Sequence, residues 1–222
     1  MDKKINESEY AVVVVKHFEN LGYEVFKEVG FGGGSMRADI YCKKGNETIA
    51  IEVKTSLNLK VLDQAYGWRE YANKVYFAVP SRSHQRFNIT KAICEAFGIG
   101  MFDIYLYNHH RVNSEVRERL PAAINSEPKH PPLYEEQKDS IAGTHTGDFV
   151  TPFKITCNRL IEHVKTNGPM LLINAMREID HHYSNDTSGT AGIRKMIKWG
   201  VITDVEIFKE KNKIHIRLKD SI

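Results

Sequence analysis

Hydrophobic and polar residues follow two different periods along the first half of the chain. Three segments have the helical period, with an apolar residue at every third or fourth position, and these are 8–21, 59–74 and 89–100. Five segments have the alternation or the short apolar run of a strand, and these are 23–29, 37–43, 47–55, 75–80 and 101–108. The order α-β-β-β-α-β-α-β predicts an α/β fold with a mixed central sheet and helices on both faces.

The pattern changes between residues 111 and 150. Prolines at positions 121, 128, 131 and 132 lie among polar and charged residues, which is typical of a linker or an extended arm. From Thr151 onward, three helical segments precede two strands around a turn at 210–212, the order of a winged helix-turn-helix. We therefore predict one domain over 1–110, a linker over 111–150 and a winged-helix-like domain over 151–222.

Composition narrows the class of protein only slightly. The net charge of +3 and the pI near 8.6 permit nucleic-acid binding without requiring it. Three widely spaced cysteines without a CxxC motif predict reduced thiols and a cytoplasmic protein. The first ten residues lack the apolar stretch of a signal peptide, and no apolar run approaches the roughly 20 residues that cross a bilayer. We therefore expect no membrane partner.

One predicted hairpin carries charged residues where charge is costly. In ADIYCKKGNETIAIEVKTS, residues 38–56, the turn at 44–46 pairs strand 37–43 with strand 47–55. The two-residue period places Glu52 and Lys54 on one face, and the hairpin register brings Asp39 near them. Two carboxylates in contact repel each other, and a Mg²⁺ ion, which prefers oxygen ligands, relieves that repulsion. A lysine beside such a metal suits phosphodiester hydrolysis.

A simpler interpretation of the same hairpin is an exposed strand in which Glu52 and Lys54 form a surface ion pair. Asp, Glu and Lys at this spacing occur by chance in many proteins. The apolar residues on both faces of IAIEV instead favour an interior strand.

With its flanking elements, the hairpin resembles a known nuclease family. Residues 5–106 resemble the PD-(D/E)XK nuclease superfamily, which has the restriction-endonuclease-like fold and an α-β-β-β-α-β core. The family motif falls on Ala38-Asp39 and on Glu52-Val53-Lys54, with alanine in place of the family's proline. The resemblance implies that Asp39 and Glu52 bind Mg²⁺, for which Mn²⁺ can substitute, and that Lys54 assists the attacking water or the transition state.

The resemblance also suggests two further site residues. Many members contribute a glutamate from the first helix, for which Glu7 and Glu9 are candidates, and we prefer Glu9. Others place a polar residue from the helix after the lysine strand near the site, and Gln64 has that position. The alternatives are a glutamate favoured by the helix dipole and a surface glutamine.

Two regions have the composition of a nucleic-acid contact. Arg82 and Arg86 follow the strand 75–80 and could reach phosphates. Residues 151–222 contain 12 Lys and Arg against 8 Asp and Glu. On the third helix of this module, the predicted DNA contacts are Thr187, Ser188, Thr190, Arg194, Lys195 and Lys198. Winged helices also mediate protein–protein contacts, which is the alternative for these residues.

The favoured hypothesis is a Mg²⁺-dependent endonuclease that cuts double-stranded DNA. Because one site cuts one strand, we expect a homodimer. The pairing of the two modules is similar to that of restriction or mobile-element nucleases. The alternatives are a catalytically inactive nuclease-fold protein that binds DNA or regulates, and a nuclease acting on RNA or branched DNA.

Overall fold

A computed structural model of the chain describes residues 5–30, 36–82, 87–107, 114–140, 142 and 151–219. The chain divides into two compact units, Met1–Val150 and Thr151–Ile222. The first unit is an α/β unit with a mixed six-stranded central sheet. No helix in the described ranges is long and apolar enough to span a membrane.

The helices and strands of the first unit follow one another in an order close to the predicted one. The helices are α1 (Glu7–Asn20), α2 (Leu59–Gly67) and α3 (Phe87–Phe97), and a 3₁₀ turn (Trp68–Glu70) follows α2. The strands are β1 (Glu24–Gly30), β2 (Arg37–Lys44), β3 (Glu47–Val53), β4 (Lys74–Pro80), β5 (Gly100–Leu106) and β6 (Ser114–Leu120). Residues 31–35, between β1 and β2, lie outside the described residues.

The sheet has the strand order β1-β2-β3-β4-β5-β6. Strands β3, β4 and β5 are parallel to one another, whereas β1, β2 and β6 join by antiparallel pairing. Alternating side chains enter two apolar clusters: α1 packs in one of them, and α2 and α3 contribute to the other. In β3, for example, Ile49, Ile51 and Val53 belong to the first cluster and Ala50 to the second, as the two-residue period predicts.

The prediction of a linker or extended arm over 111–150 is wrong for Ser114–Leu120. Residues Ser114–Leu120 form β6, which pairs antiparallel with β5 and completes the sheet. The following chain packs against the unit, with Tyr134 and Gln137 buried. The hydrophobic pattern does not reveal this strand, which lies at the edge of the sheet, because only Val116 and Leu120 of its seven residues are buried.

The described part of the second unit, residues 151–219, contains three helices and three short strands. They are α4 (Pro152–Asn167), β7 (Met170–Leu171), α5 (Leu172–Arg177), α6 (Asp186–Lys198), β8 (Val205–Glu210) and β9 (Lys213–Leu218). The strands form a sheet in the order β7-β9-β8. Apolar residues of all three helices share one core with this sheet, among them Leu160, Met176, Ile193 and Ile216.

The predicted second helix of this unit, 169–183, is much shorter in the structure. Met170 and Leu171 pair with Ile216 and His215 of β9, so the helix begins only at Leu172 and ends at Arg177. Pairing with a distant strand is a tertiary effect that helical periodicity does not reveal.

Candidate active site

The β2–β3 hairpin brings Asp39 and Glu52 face to face. Gly45, with φ 59°, provides the left-handed backbone of the turn. Beyond the turn, Ile40 pairs with Ile51, and the antiparallel register places Asp39 opposite Glu52 one step later. The backbone N–H of Val53 donates to Oδ2 of Asp39 over 2.7 Å, which fixes the aspartate at the end of the paired strands.

Lys54 lies directly after β3, where the strand leaves the hairpin. Its backbone N–H donates to the carbonyl of Ala78 on β4 over 3.0 Å, which holds this end of the strand in the sheet. Its ammonium donates to Oδ2 of Asp39 over 2.9 Å and to the carbonyl of Val53 over 2.9 Å. The distance from Nζ to Oε2 of Glu52 is 3.9 Å. The structure therefore brings the three predicted motif residues together.

The first helix contributes Glu7, rather than the preferred Glu9, to this cluster. Oε1 of Glu7 accepts a hydrogen bond from Lys54 Nζ over 2.6 Å. Glu9 instead closes a capping box at the start of α1: Asn6 Oδ1 accepts from the Glu9 N–H, and Glu9 Oε2 accepts from the Asn6 N–H, each over 2.9 Å. The preference for Glu9 is corrected because a side chain that caps its own helix is held at that helix end.

Glu52 has the fewest hydrogen bonds of the charged groups in the cluster. It is 1% exposed, compared with 7% for Asp39. Among the described residues, no donor lies within hydrogen-bonding distance of either Glu52 carboxylate oxygen. A hydrogen bond between Glu52 and Asp39 becomes possible only when one of the two carboxyl groups holds a proton. A buried carboxylate without a hydrogen-bond donor is costly, even with an ammonium 3.9 Å away, so the site as built favours either a proton or a cation between Glu52 and Asp39.

The pKa values of Glu52 and Lys54 are both raised, but for different reasons. Burial and then the charge of Asp39 raise the pKa of Glu52 well above its ordinary value, although Lys54 opposes them. For Lys54, burial is the largest effect and lowers the pKa, but the charges and hydrogen bonds of Asp39, Glu7 and Glu52 together outweigh it and raise the pKa. Lys54 is therefore an ammonium at neutral pH, that is, a donor and a positive charge rather than a base.

The donor atoms of the cluster, though not their present arrangement, suit a hard divalent cation. Asp39, Glu52 and Glu7 offer carboxylate oxygens, the ligand type of Mg²⁺, and the two orphan oxygens of Glu52 are the observation that favours an ion. Within the described ranges, no group of three or more His, Cys, Asp and Glu side chains is arranged to hold a metal ion. Instead, the Lys54 ammonium lies within ion-pair distance of all three acidic side chains.

Three predicted site residues of the first unit remain, namely Gln64, Arg82 and Arg86. Gln64 lies on α2, half-buried, and its side-chain oxygen is buried without a hydrogen-bond partner among the described residues. Arg82 is exposed just after β4, and it lines a cleft together with Tyr10 of α1 and Tyr105 of β5. Arg86 lies outside the described residues.

An ion pair next to the motif was not among the predicted site residues. Glu28 of β1 is 1% exposed and forms an ion pair with Arg37, with 2.5 Å between Arg37 Nε and Glu28 Oε2. The sequence carried one signal for it: a glutamate inside the apolar alternation of YEVFKEV, the same kind of signal that identified Glu52.

The predicted DNA-contacting residues of the second unit all lie on α6. Ser188 and Thr190 make hydrogen bonds at the start of the helix. Ser188 completes a capping box with Asn185, and the Thr190 hydroxyl donates to the Asp186 carbonyl over 2.8 Å. Thr187 and Lys195 are exposed, and the Lys195 ammonium lies 4.3 Å from the ring centroid of Trp199.

A basic cleft separates α6 from the β8–β9 hairpin within this unit. Its volume is about 340 Å³, and its lining residues are Arg194, Lys198, Ile207, Phe208, Lys209 and Ile214. Three cations and an aromatic ring around one cleft are complementary to a phosphate backbone.

Comparison with protein-family models, with curated proteins and with solved structures finds no match to this chain. Function is therefore inferred from the geometry of the chain itself.

Proposed function

We propose that this protein is a metal-dependent endodeoxyribonuclease whose first unit has the PD-(D/E)XK, restriction-endonuclease-like fold. The observation that carries the proposal is the cluster of Asp39, Glu52 and Lys54, in which a buried carboxylate without a donor faces a second carboxylate and an ammonium. The order α1-β1-β2-β3-α2-β4 supports it, because it matches the core of that superfamily element by element.

In this proposal Asp39 and Glu52 hold Mg²⁺, or Mn²⁺ in its place, with Glu7 as a further carboxylate close by. The ion, when bound, supplies a Lewis acid and lowers the pKa of a bound water. Asp39 is oriented for this role by the N–H of Val53, which occupies Oδ2. Glu52 is held in a dry environment between apolar neighbours on β3, where it loses little entropy on binding.

Lys54 supplies a fixed positive charge at the same place. Its ammonium donates to Glu7, Asp39 and the carbonyl of Val53, so its three N–H groups all have acceptors. It is held in place as a positive charge, and it would exchange one of these hydrogen bonds for an oxygen that gains charge. Because its pKa is raised, it acts by donating a hydrogen bond and offsetting negative charge, not by removing a proton from water.

The second unit is proposed to be a winged helix-turn-helix that binds double-stranded DNA. Its element order, helix–strand–helix–helix–strand–strand, supports this assignment. In this arrangement α6 is the recognition helix, Thr187, Ser188 and Thr190 lie at its N-terminal end, and Arg194 and Lys198 line the basic cleft. Double-strand cleavage then requires two catalytic sites, which we propose come from a homodimer.

A nicking assay tests the proposed activity. Full-length wild type should nick or linearise supercoiled plasmid in Mg²⁺ or Mn²⁺ and should leave it intact in EDTA. Asp39→Asn and Glu52→Gln should abolish cleavage. Glu47→Gln is the matched control, because Glu47 lies on the same strand but pairs with Lys74 and Tyr23 at its other end. Cleavage that survives both site variants would refute the proposal.

A second candidate is a nuclease-fold protein that binds DNA without cutting it. The basic cleft of the second unit favours DNA binding whether or not the first unit is active. Salt-dependent binding to a duplex, together with an intact plasmid in both Mg²⁺ and Mn²⁺, would select this candidate. Competition by branched DNA and by RNA in the same assay separates the remaining substrate classes.

A further inference from the structure

A cleft of the first unit lies at the edge of the sheet where three parallel strands end. Strands β3, β4 and β5 run in the same direction, so their carboxyl ends meet at one edge. Lys54 follows β3 at this edge, Arg82 follows β4 and Tyr107 follows β5. The N–H of Ser81 donates to the carbonyl of Ile104 over 3.0 Å, which joins the ends of β4 and β5. The motif lysine and the cleft therefore belong to the same edge.

The cleft also adjoins the Asp39 cluster on the side of α1. Ile5 and Tyr10 line it there. Glu7, which accepts a hydrogen bond from Lys54, lies between these two residues in the sequence. Helix α1 therefore contributes to the cluster and to the cleft with side chains of the same turns, so that a chain lying over the cluster reaches the cleft.

The cleft combines apolar and aromatic walls with polar donors. Tyr10, Tyr105, Tyr107 and Arg82 are among its lining residues, and its volume is about 270 Å³. Tyr107 is 53% exposed, so a ligand has access to its ring. Pockets for whole small molecules usually measure roughly 300–1,000 Å³. A cleft below that range suits one part of a larger ligand.

Two donors of the cleft have no partner among the described residues. Neither the guanidinium of Arg82 nor the hydroxyl of Tyr10 is hydrogen-bonded to another described side chain or carbonyl. Burial and then the charge of Glu9 raise the pKa of Tyr10, so its hydroxyl keeps the proton that it donates. A positive charge and a hydroxyl beside aromatic rings are complementary to a phosphate that is attached to a planar, apolar group.

We propose that this cleft holds one unpaired nucleotide of the substrate, with its base against the tyrosine rings and its phosphate on Arg82. Aromatic side chains stack on bases of any sequence, because every base has a π face. In a duplex these faces are covered by neighbouring bases, so the cleft suits a base outside the stack, as at an overhang, at a branch or after extrusion from the duplex. The inference rests on the proposed function, because it needs a nucleic acid beside the motif.

The test compares fluorescein-labelled duplexes in EDTA by fluorescence anisotropy with the full chain. One duplex is blunt, and the others carry a short 5′ or 3′ overhang. Wild type should bind at least one overhang duplex about 5- to 150-fold more tightly than the blunt duplex, the range expected for stacking of one base. Tyr107→Ala should lose most of this preference. Tyr107→Phe should keep it, because it retains the ring and loses only the hydrogen bond to Glu115. Arg82→Gln should lower the salt slope for the overhang duplex by about 0.7.

The control is Tyr66→Ala, which removes a tyrosine of nearly equal exposure, 52%, on α2. It should keep the wild-type preference, and thermal melting confirms that each variant is folded. Equal binding of blunt and overhang duplexes by wild type would overturn the proposal, even if wild type cleaves plasmid. An unchanged preference in Tyr107→Ala would overturn it as well. A preference that depends on Tyr107, in a protein that cleaves nothing, would support the cleft while refuting the nuclease function.

Discussion

Replacing Glu52 by glutamine should stabilise the metal-free protein at neutral and alkaline pH. The wild-type carboxylate is buried, has no donor among the described residues, and faces Asp39. Glutamine keeps the shape of the side chain, carries no charge and can donate its amide N–H to Asp39. The substitution thus removes the least satisfied charge of the cluster without opening a cavity.

The size of the effect follows from the cost of a buried unsatisfied polar group, about 1–3 kcal/mol. A central value of about 2 kcal/mol corresponds to a rise in Tm of roughly 4–8 °C for a unit of this size. The effect depends on pH. Because the folded pKa of Glu52 is raised above the unfolded value, its contribution to stability is fully present below the ordinary glutamate pKa and is lost as pH rises through the folded pKa. The advantage of the variant should therefore grow with pH over that window.

Thermal melts in EDTA across a series of pH values measure this difference directly. Glu47→Gln is a control of opposite sign, because hydrogen bonds from Lys74 and Tyr23 lower the pKa of Glu47. That variant should lose stability above the ordinary glutamate pKa and recover as pH falls. Added Mg²⁺ should raise the Tm of wild type but not of Glu52→Gln. A Glu52→Gln variant that is less stable than wild type at every pH would refute the reasoning.

Three further predictions concern the helix start, the sheet and the second unit. Glu7→Gln should slow cleavage about 10- to 100-fold, as expected for an outer partner of a site, whereas Glu9→Ala should leave cleavage intact and cost about 0.5–1 kcal/mol in a urea melt; equal effects on cleavage would contradict the structure. Gly100→Ala should cost about 1–3 kcal/mol in the same melt, because its Cβ would meet the ring of Tyr76; unchanged stability would contradict that contact. Lys198→Ala should lower the salt slope of duplex binding by about one, and an unchanged slope would exclude the cleft as a DNA contact.

The hydrophobic period predicts the apolar strands well, including the edge strand β1, but it misses the polar strand β6 and the two-residue strand β7. Strands β2, β3 and β4 are buried on both faces, so their apolar runs stand out in the sequence. The edge strand β6 and the two-residue β7 need only a few apolar residues. Their existence depends on hydrogen bonds to distant strands, which have no local signature.

The same distinction holds for the site. The sequence places Asp39, Glu52 and Lys54 in one hairpin, but its predicted turn at 44–46 pairs residue 43 with residue 47. In the structure Lys44 pairs with Glu47, and this one-residue difference puts Asp39 opposite Glu52. The sequence also contains a signal that decides between Glu7 and Glu9. Asn6 followed three residues later by Glu9 is a capping-box pattern. Glu9 is therefore expected to cap the helix, and Glu7 is the candidate for the site. The pairing of Glu28 with Arg37 could not be predicted, because it depends on a left-handed backbone at a residue that normally avoids it.

Metal-dependent cleavage that requires Lys54 is the central claim, and one measurement tests it most directly. The rate of plasmid cleavage in Mg²⁺ is compared for wild type, Lys54→Ala and Lys74→Ala, where Lys74 belongs to a Lys–Glu pair elsewhere in the sheet. The structure predicts that Lys54→Ala cuts at least about 100-fold more slowly than wild type and that Lys74→Ala cuts at the wild-type rate. Equal rates for wild type and Lys54→Ala would contradict the account.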